Sequence, residues 1–407
     1  MIDRPRYIEL LWKYKEQNLI KIVTGVRRSG KSTLFSLFRQ RLLAAGVEPA
    51  QIQSINLEDV DSEHLLDYHR LHEHIMSHLA AGKRNYVFLD EIQNVPDFQR
   101  AVRSLADKGN IDLYLTGSNS KLQSGEWATS IAGRYVEIHV LPLSFREFAS
   151  AHAQHNLPVD ALFNRYLSTS FPQTLSMGQD AEQISRYLSD IFNSIVLKDI
   201  VANKGIRDIA RLERVARFLA SAVGSEISVK KIADTLTSDG IKVTPAVVES
   251  YLQAFADCYL LYRADRYSVK GKKLLKTLNK YYMVDMGFRR LLLGNTGGDT
   301  GHMLENIVYL ELIRRGYRVT IGKVDVWDAE SASKKSIEVD FIATTPQGPV
   351  YYQVSESIWD EQTRKRELAP LLAIRDHYPK IILTRDYNST SYEGIRHLNV
   401  LEWLLDE

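Results

Sequence analysis

Gly25-Val26-Arg27-Arg28-Ser29-Gly30-Lys31-Ser32 has the residue types and spacing of a loop that cradles phosphates. Its glycines let backbone N–H groups curl around an anion, and the helix expected to follow adds a positive end. Lys31 is placed to reach β- and γ-phosphates, and the Ser32 hydroxyl to ligate Mg²⁺. Gly25, Arg27, Arg28, Ser29, Gly30, Lys31, Ser32 and Thr33 are the candidate nucleotide contacts, with ATP and Mg²⁺ as the expected ligands.

A second group of residues fits the same chemistry. The apolar run Tyr86-Val87-Phe88-Leu89 ends in Asp90-Glu91. A carboxylate at the carboxyl end of a buried strand lies beside the phosphate loop. Asp90 is then a second Mg²⁺ ligand, and Glu91 orients or deprotonates the attacking water. The run Asp112 to Thr116 leads into Gly117-Ser118-Asn119, whose Ser118 and Asn119 are candidates for contact with the γ-phosphate and the lytic water. Asn56 is a candidate to pair with Glu91 and hold it inactive. Arg134 is a candidate arginine acting on a neighbouring subunit's nucleotide, in competition with Arg27, Arg28 and Arg103.

The elements around these residues define the fold expected. The strand Leu19 to Val23 precedes the loop, and residues 1–150 alternate strand and helix patterns. That alternation gives an α/β fold: a P-loop NTPase parallel sheet with helices on both faces. Residues 151–206 read as a helical lid or connector. With 407 residues, 44% hydrophobic and 25% charged, the chain is long enough and apolar enough for several cores. No apolar run is long enough to cross a membrane. Met1 to Arg6 does not read as a signal peptide, and Cys258 is the only cysteine, so a reducing cytoplasm is expected. His64, His69, His72, His74 and His78 cluster without the spacing of a metal site and read as a solvated helix face.

Residues 207–291 follow the order of a winged helix-turn-helix. A helix at 209–222 and a short apolar stretch at 226–228 are followed by helices at 229–236 and from Thr244-Pro245. Two β-like runs, 259–262 and 281–284, complete it. Between Arg263 and Arg290 nine cations face only Asp265 and Asp285. Lys270, Lys272, Lys273 and Lys276, interleaved with Tyr262, Tyr267, Tyr281 and Tyr282, suit phosphate contact and base stacking, so DNA is the expected partner. The net charge of only +2 means that such binding must come from local patches. Residues 292–301, rich in glycine, read as a flexible linker.

In residues 302–407 a helix carrying Glu305 precedes two strands carrying Asp340 and Gln353. The arrangement resembles the PD-(D/E)xK nuclease core, in which carboxylates bind Mg²⁺ and a lysine assists water. Gln353 stands in place of the second carboxylate and Ser355 in place of the lysine, leaving Lys365 as the nearest substitute. The expected reading is a degenerate domain kept for DNA binding or docking.

The chain as a whole resembles a family of prokaryotic AAA-type ATPases with a C-terminal nuclease-like domain. The phosphate loop carries the resemblance, with Phe88 to Gln93, Thr116 to Asn119, Gly133-Arg134-Tyr135, Pro142 to Phe148, Lys280 to Asp285, Leu304-Glu305-Asn306 and Glu338 to Phe341. Thr169-Ser170-Phe171-Pro172 departs from the family's usual Gly-Gly-Phe-Pro. The resemblance implies ATP hydrolysis coupled to a DNA or protein client in a homo-oligomer, with a hexameric ring as one form it takes. The expected activity is a Mg²⁺-dependent ATP hydrolase remodelling branched or broken DNA. The alternatives are a switch that binds a protein partner and an ATP-gated nuclease.

Overall fold

Strands whose residues are apolar at every position must be covered on both faces, and this requirement shapes the first part of the chain. The computed structural model describes residues 2–117, 133–178, 180–201, 206, 208–294, 300–328, 333–387 and 390–406. They form two compact units, Met1–Pro142 with Asp257–Tyr259, and Leu143–Ala256 with Leu260–Glu407.

The first unit is α1 (Pro5–Lys13), β1 (Ile20–Thr24), α2 (Lys31–Ala44), β2 (Ile52–Asn56), α3 (Tyr68–Ser77), β3 (Asn85–Asp90), α4 (Phe98–Ala106), β4 (Ile111–Gly117) and β5 (Tyr135–His139). The strands make one parallel sheet in the order β2-β3-β4-β1-β5. Alternation sorts the side chains into two cores. Ile20, Ile22, Val87, Leu89, Leu113 and Leu115 pack with Leu71, Ile75, Val102 and Leu105 of α3 and α4. Val23, Tyr86, Phe88, Tyr114 and Ile138 pack with Tyr7 and Leu11 of α1 and with Phe35, Phe38 and Leu42 of α2.

The second unit begins with α5 (Phe145–Ala151), α6 (Val159–Tyr166), α7 (Ala181–Ser194), α8 (Ile209–Ser221), α9 (Val229–Ser238) and α10 (Pro245–Asp257). A hairpin follows, β6 (Leu261–Ser268) and β7 (Lys273–Met283), then α11 (Met286–Leu293) and α12 (Thr300–Arg314). The remainder is β8 (Arg318–Asp328), β9 (Ser333–Thr345), β10 (Gly348–Val354), α13 (Glu361–Leu372), β11 (Lys380–Thr384), β12 (Arg396–Asn399) and α14 (Val400–Leu405). The seven strands form one mixed sheet in the order β12-β11-β10-β9-β8-β6-β7.

This topology differs from the expectation of a wing set apart from the C-terminal domain by a linker. Arg266, Tyr267 and Ser268 of β6 pair in parallel with Ile321, Gly322 and Lys323 of β8, so the hairpin and the C-terminal strands share one ladder. A boundary between 291 and 302 divides that sheet. The linker reading falls mostly on residues 295–299, which lie outside the described residues.

The family motifs in this unit have local structural reasons. Ser144 caps α5 by accepting from the Glu147 amide at 3.0 Å, and the Glu147 carboxylate accepts from the Ser144 amide at 2.8 Å. Asn306 accepts from the Met283 amide at 2.8 Å and donates to the Met283 carbonyl at 2.9 Å, which fixes β7 to α12. Asp285 caps α11 and accepts from both the amide and the hydroxyl of Ser170. Neither Thr169 nor Ser170 has a positive φ. The departure from Gly-Gly therefore leaves the turn unstrained and adds a hydroxyl bond to Asp285. Among the described residues no helix is long and apolar enough to cross a membrane.

Lys21 and Asp112 form an ion pair inside the first sheet, their side chains 0% and 1% exposed. Burial lowers the Lys21 pKa, with Asp112 opposing that shift. The Tyr114 hydroxyl also donates to Asp112 at 2.7 Å. Asp112→Ala leaves the Lys21 amine buried without its partner carboxylate and is expected to cost about 3–5 kcal/mol, read from urea unfolding.

Candidate functional site

The phosphate loop joins β1 to α2, and its backbone is one only glycine permits at two points. Gly25 has φ of 143°, and a Cβ there would lie 2.1 Å from the Val140 carbonyl oxygen. Gly30, with φ of 99°, precedes α2 without a side-chain cap, so the first N–H groups of the helix stay open toward the loop. Lys31 is buried and turns back over the loop, donating to the carbonyls of Gly25 at 3.0 Å and Val26 at 3.2 Å. The Ser29 hydroxyl is buried with no hydrogen-bond partner among the described residues. Arg28, Ser32 and Thr33 are exposed, and Arg27 lies 3.7 Å from Glu58.

One residue of this site escaped the sequence reading. Arg4, 4% exposed, donates to the Ser29 carbonyl at 3.0 Å and the Leu141 carbonyl at 2.8 Å. Its guanidinium also lies over the Tyr7 ring, and the Tyr7 hydroxyl accepts from the Leu141 amide at 3.2 Å. Arg4 thereby ties the phosphate loop to the chain after β5 from the start of α1. The only sequence signal was an arginine just before the Pro5 that opens a helix, which by itself names no contact.

β4 lies between β1 and β3, so its carboxyl end faces both the loop and Asp90-Glu91. The Thr116 hydroxyl, at that end, donates to the Asp90 carboxylate and accepts from the Glu91 amide at 2.9 Å. The Ser32 hydroxyl also bonds to Asp90. Burial raises the Asp90 pKa above the usual carboxylate value, Ser32, Thr116 and Lys31 pull it down, and the charge of Glu91 adds to the rise. Glu91 is held in the left-handed region at φ of 53°. Its carboxylate accepts from the Gln93 side chain, not from Asn56, whose side-chain oxygen accepts from the Glu58 amide at 3.0 Å. Thr116 and Gln93 thus position the two carboxylates, and the expected pairing of Asn56 with Glu91 is not made. Ser118 and Asn119 lie outside the described residues.

The donor set fits a magnesium nucleotide. The glycine-walled loop, the open α2 N–H groups and Lys31 suit phosphate oxygens. Ser32 and Asp90, already in hydrogen-bond contact, supply the hydroxyl and carboxylate that Mg²⁺ takes alongside phosphate oxygens. Arg134 is not beside this loop. Its carbonyl accepts from Ile20 at the amino end of the sheet, and its guanidinium is 3.0 Å from Asp107. Arg103 is exposed on α4.

The nuclease-like residues are brought together in the second unit around a lysine that the sequence reading had assigned to a DNA-facing patch. Lys280, 4% exposed, lies 2.8 Å from Glu305 and 2.6 Å from Glu338. The Tyr282 hydroxyl donates to the same Glu305 oxygen at 2.6 Å. Burial alone would lower the Lys280 pKa, but Glu305, Asp340 and Glu338 hold it above the ordinary lysine range. Asp340 is raised well above the usual value by burial and by the charge of Glu305. Its carboxylate accepts from the Val354 amide at 2.8 Å. Gln353 accepts from the Asp340 amide at 3.3 Å and donates to Glu367 at 3.0 Å. Among the described residues no group of three or more His, Cys, Asp or Glu side chains is arranged to hold a metal ion. Lys365 takes no part in the cluster and pairs with Glu361 on the surface.

The basic patch is accordingly smaller than its sequence count. Lys280 and Arg289 are buried, Arg266 pairs with Glu226 at 3.0 Å, and Tyr281 and Tyr282 are core residues. Lys270, Lys272 and Lys273 are exposed, while the Lys276 side chain lies outside the described residues.

Comparisons with known proteins agree with the first unit. Residues 17–149 match a model described as an AAA domain, and residues 159–299 match a domain of unknown function. A Walker-type ATPase of Pyrococcus abyssi shares the fold, with a TM-score of 0.50 at 15% identity over 72% of this chain and 96% of that one. An uncharacterised protein of Haemophilus influenzae is 38% identical over 100% of this chain and 99% of its own length. One from Methanocaldococcus jannaschii is 29% identical over 97% of this chain and 87% of its own. The fold and loop define an AAA domain with a P-loop over residues 17–149. The chain belongs to the family that includes the Haemophilus protein, and in this chain the AAA domain is followed by a domain of unknown function.

Arg4→Ala removes both clamps on the phosphate loop while leaving every expected ligand contact in place. It is expected to weaken binding of a fluorescent ATP analogue about tenfold, or 1.4 kcal/mol.

Proposed function

We propose that the protein is a Mg²⁺-dependent ATP hydrolase that couples turnover to DNA bound by its second unit. The observation that carries the hydrolytic part is the meeting of Lys31, Ser32, Asp90, Glu91 and Thr116 at the carboxyl ends of three adjacent strands. Lys31 leaves the loop carbonyls to meet the β/γ-phosphates. Asp90, fixed by Thr116, holds the Ser32 side of the site. Mg²⁺, when bound there, neutralises charge on the phosphate oxygens. Glu91 orients the attacking water and accepts its proton once it is freed from Gln93. Arg134, remote from its own loop, serves a neighbouring copy in a homo-oligomer.

Residues 207–291 are read as a winged helix whose hairpin is built into the C-terminal sheet. The exposed Lys270, Lys272 and Lys273 make the phosphate contacts. The C-terminal domain at 302–407 is read as a nuclease fold without cleavage activity, because Lys280 supplies the positive charge at Glu305, Glu338 and Asp340.

Steady-state ATPase rates without DNA and with single-stranded, duplex and four-way-junction DNA at about 100 mM salt test this reading. A several-fold stimulation is expected, lost when Lys270, Lys272 and Lys273 are changed to Glu. A flat response above real basal turnover contradicts the DNA role and leaves the protein-partner switch.

A further inference from the structure

The hairpin β8–β9 is longer than the sheet that supports it. β10 pairs with β9 only over residues 341–345, and β6 pairs with β8 only up to Lys323. Residues 324–328 and 333–337 therefore pair with each other beyond both neighbours. Val324, Val326 and Ile337 face the core of the sheet. Alternation sends Asp325 and Trp327 to the other face, and Trp327 is 68% exposed opposite the exposed Lys334.

The basic tip of the β6–β7 hairpin lies beside this extension. Ser268 pairs with Lys323 in β8 and with Lys273 in β7. The Val269 amide donates to the Lys323 carbonyl at 3.0 Å, and the Lys270 ammonium donates to the Asp325 carbonyl. Lys270, Lys272 and Lys273 of the hairpin and Lys334 thus lie at the same end of the sheet as Trp327, while Lys335, opposite Val326, falls on the other face, and Asp325 is the acid among the described side chains of 268–273, 325–327 and 333–336. Asp328 and Glu330, which follow in the sequence, still leave an excess of positive charge.

A lone exposed apolar side chain needs no explanation. An exposed indole directly opposite a lysine, at the same end of the sheet as a basic hairpin tip, is a different case. Its face offers a stacking surface, and the lysines suit a phosphate backbone running past it. Bases inside a duplex have both faces covered by their neighbours, so an unpaired base is the one with a free face along the strand. We propose that Trp327 is a stacking platform for unpaired bases, and that this edge of the second unit binds single-stranded DNA, including the single-stranded part of a branched or broken duplex. This inference rests on the DNA-binding reading above and names the form of DNA that reading leaves open.

The test is fluorescence anisotropy with a labelled oligothymidylate and a labelled duplex, using the full-length wild type, Trp327→Ala and Trp327→Phe. Trp327 is exposed, so neither change should shift the melting temperature. Trp327→Ala is expected to bind the single strand about tenfold more weakly, while duplex affinity stays within about twofold and Trp327→Phe restores single-strand binding. Equal single-strand affinity for wild type and Trp327→Ala overturns the stacking platform and leaves DNA binding standing. Failure of the wild type to bind either form overturns the DNA reading itself, and this inference with it.

Discussion

Asp90 is a carboxylate at the end of a strand buried on both faces, and the ATPase unit is organised around keeping it there. A buried charge is tolerated only when it is paired or hydrogen-bonded. Here two hydroxyls, Ser32 from the helix after β1 and Thr116 from β4, meet it from different elements. Those bonds require β4 to lie between β1 and β3, and they require the loop to hold Ser32 against the sheet. The clamp of Arg4 on Ser29 and Leu141 and the contact of Gly25 with Val140 fix that loop. Helix packing on both faces, strand order and loop geometry all serve one polar cluster.

The second unit follows the same rule with the opposite sign. Lys280 is buried in β7, and Glu305 from α12 with Glu338 from β9 are drawn to it. The lysine therefore joins the hairpin, the helix and the C-terminal sheet into one unit. A cation built into the chain thus stands among these buried carboxylates. The same pairing turns Lys280 away from solvent, so it adds no charge to the exposed basic tip of the hairpin.

Much of the candidate site's geometry was legible because its residues are close in sequence to the elements that place them. Gly25 to Ser32 follows a strand and opens a helix, and Asp90-Glu91 ends an apolar run, so local pattern and tertiary position coincide. Arg4 and Thr116 were missed for the converse reason. One acts across more than a hundred residues on Leu141, and the other reads as an ordinary β-branched strand residue. Lys280 misled because charge counting cannot tell which face of β7 a lysine occupies, and the partner that decides it, Glu305, comes from a later helix. The fusion of β6 to β8 was invisible for the same reason, since parallel pairing across α11 and α12 leaves no local signal.

The measurement that bears most directly on the ATPase centre is Mg-ATP binding and turnover in Lys31→Ala and Glu91→Gln, assayed beside the wild type. Lys31→Ala should lose nucleotide affinity. Glu91→Gln should bind Mg-ATP as tightly as the wild type and hydrolyse it about 10²–10⁴-fold more slowly. Turnover at the wild-type rate in Glu91→Gln, or undiminished affinity in Lys31→Ala, would contradict the assignment of this cluster as the hydrolytic centre.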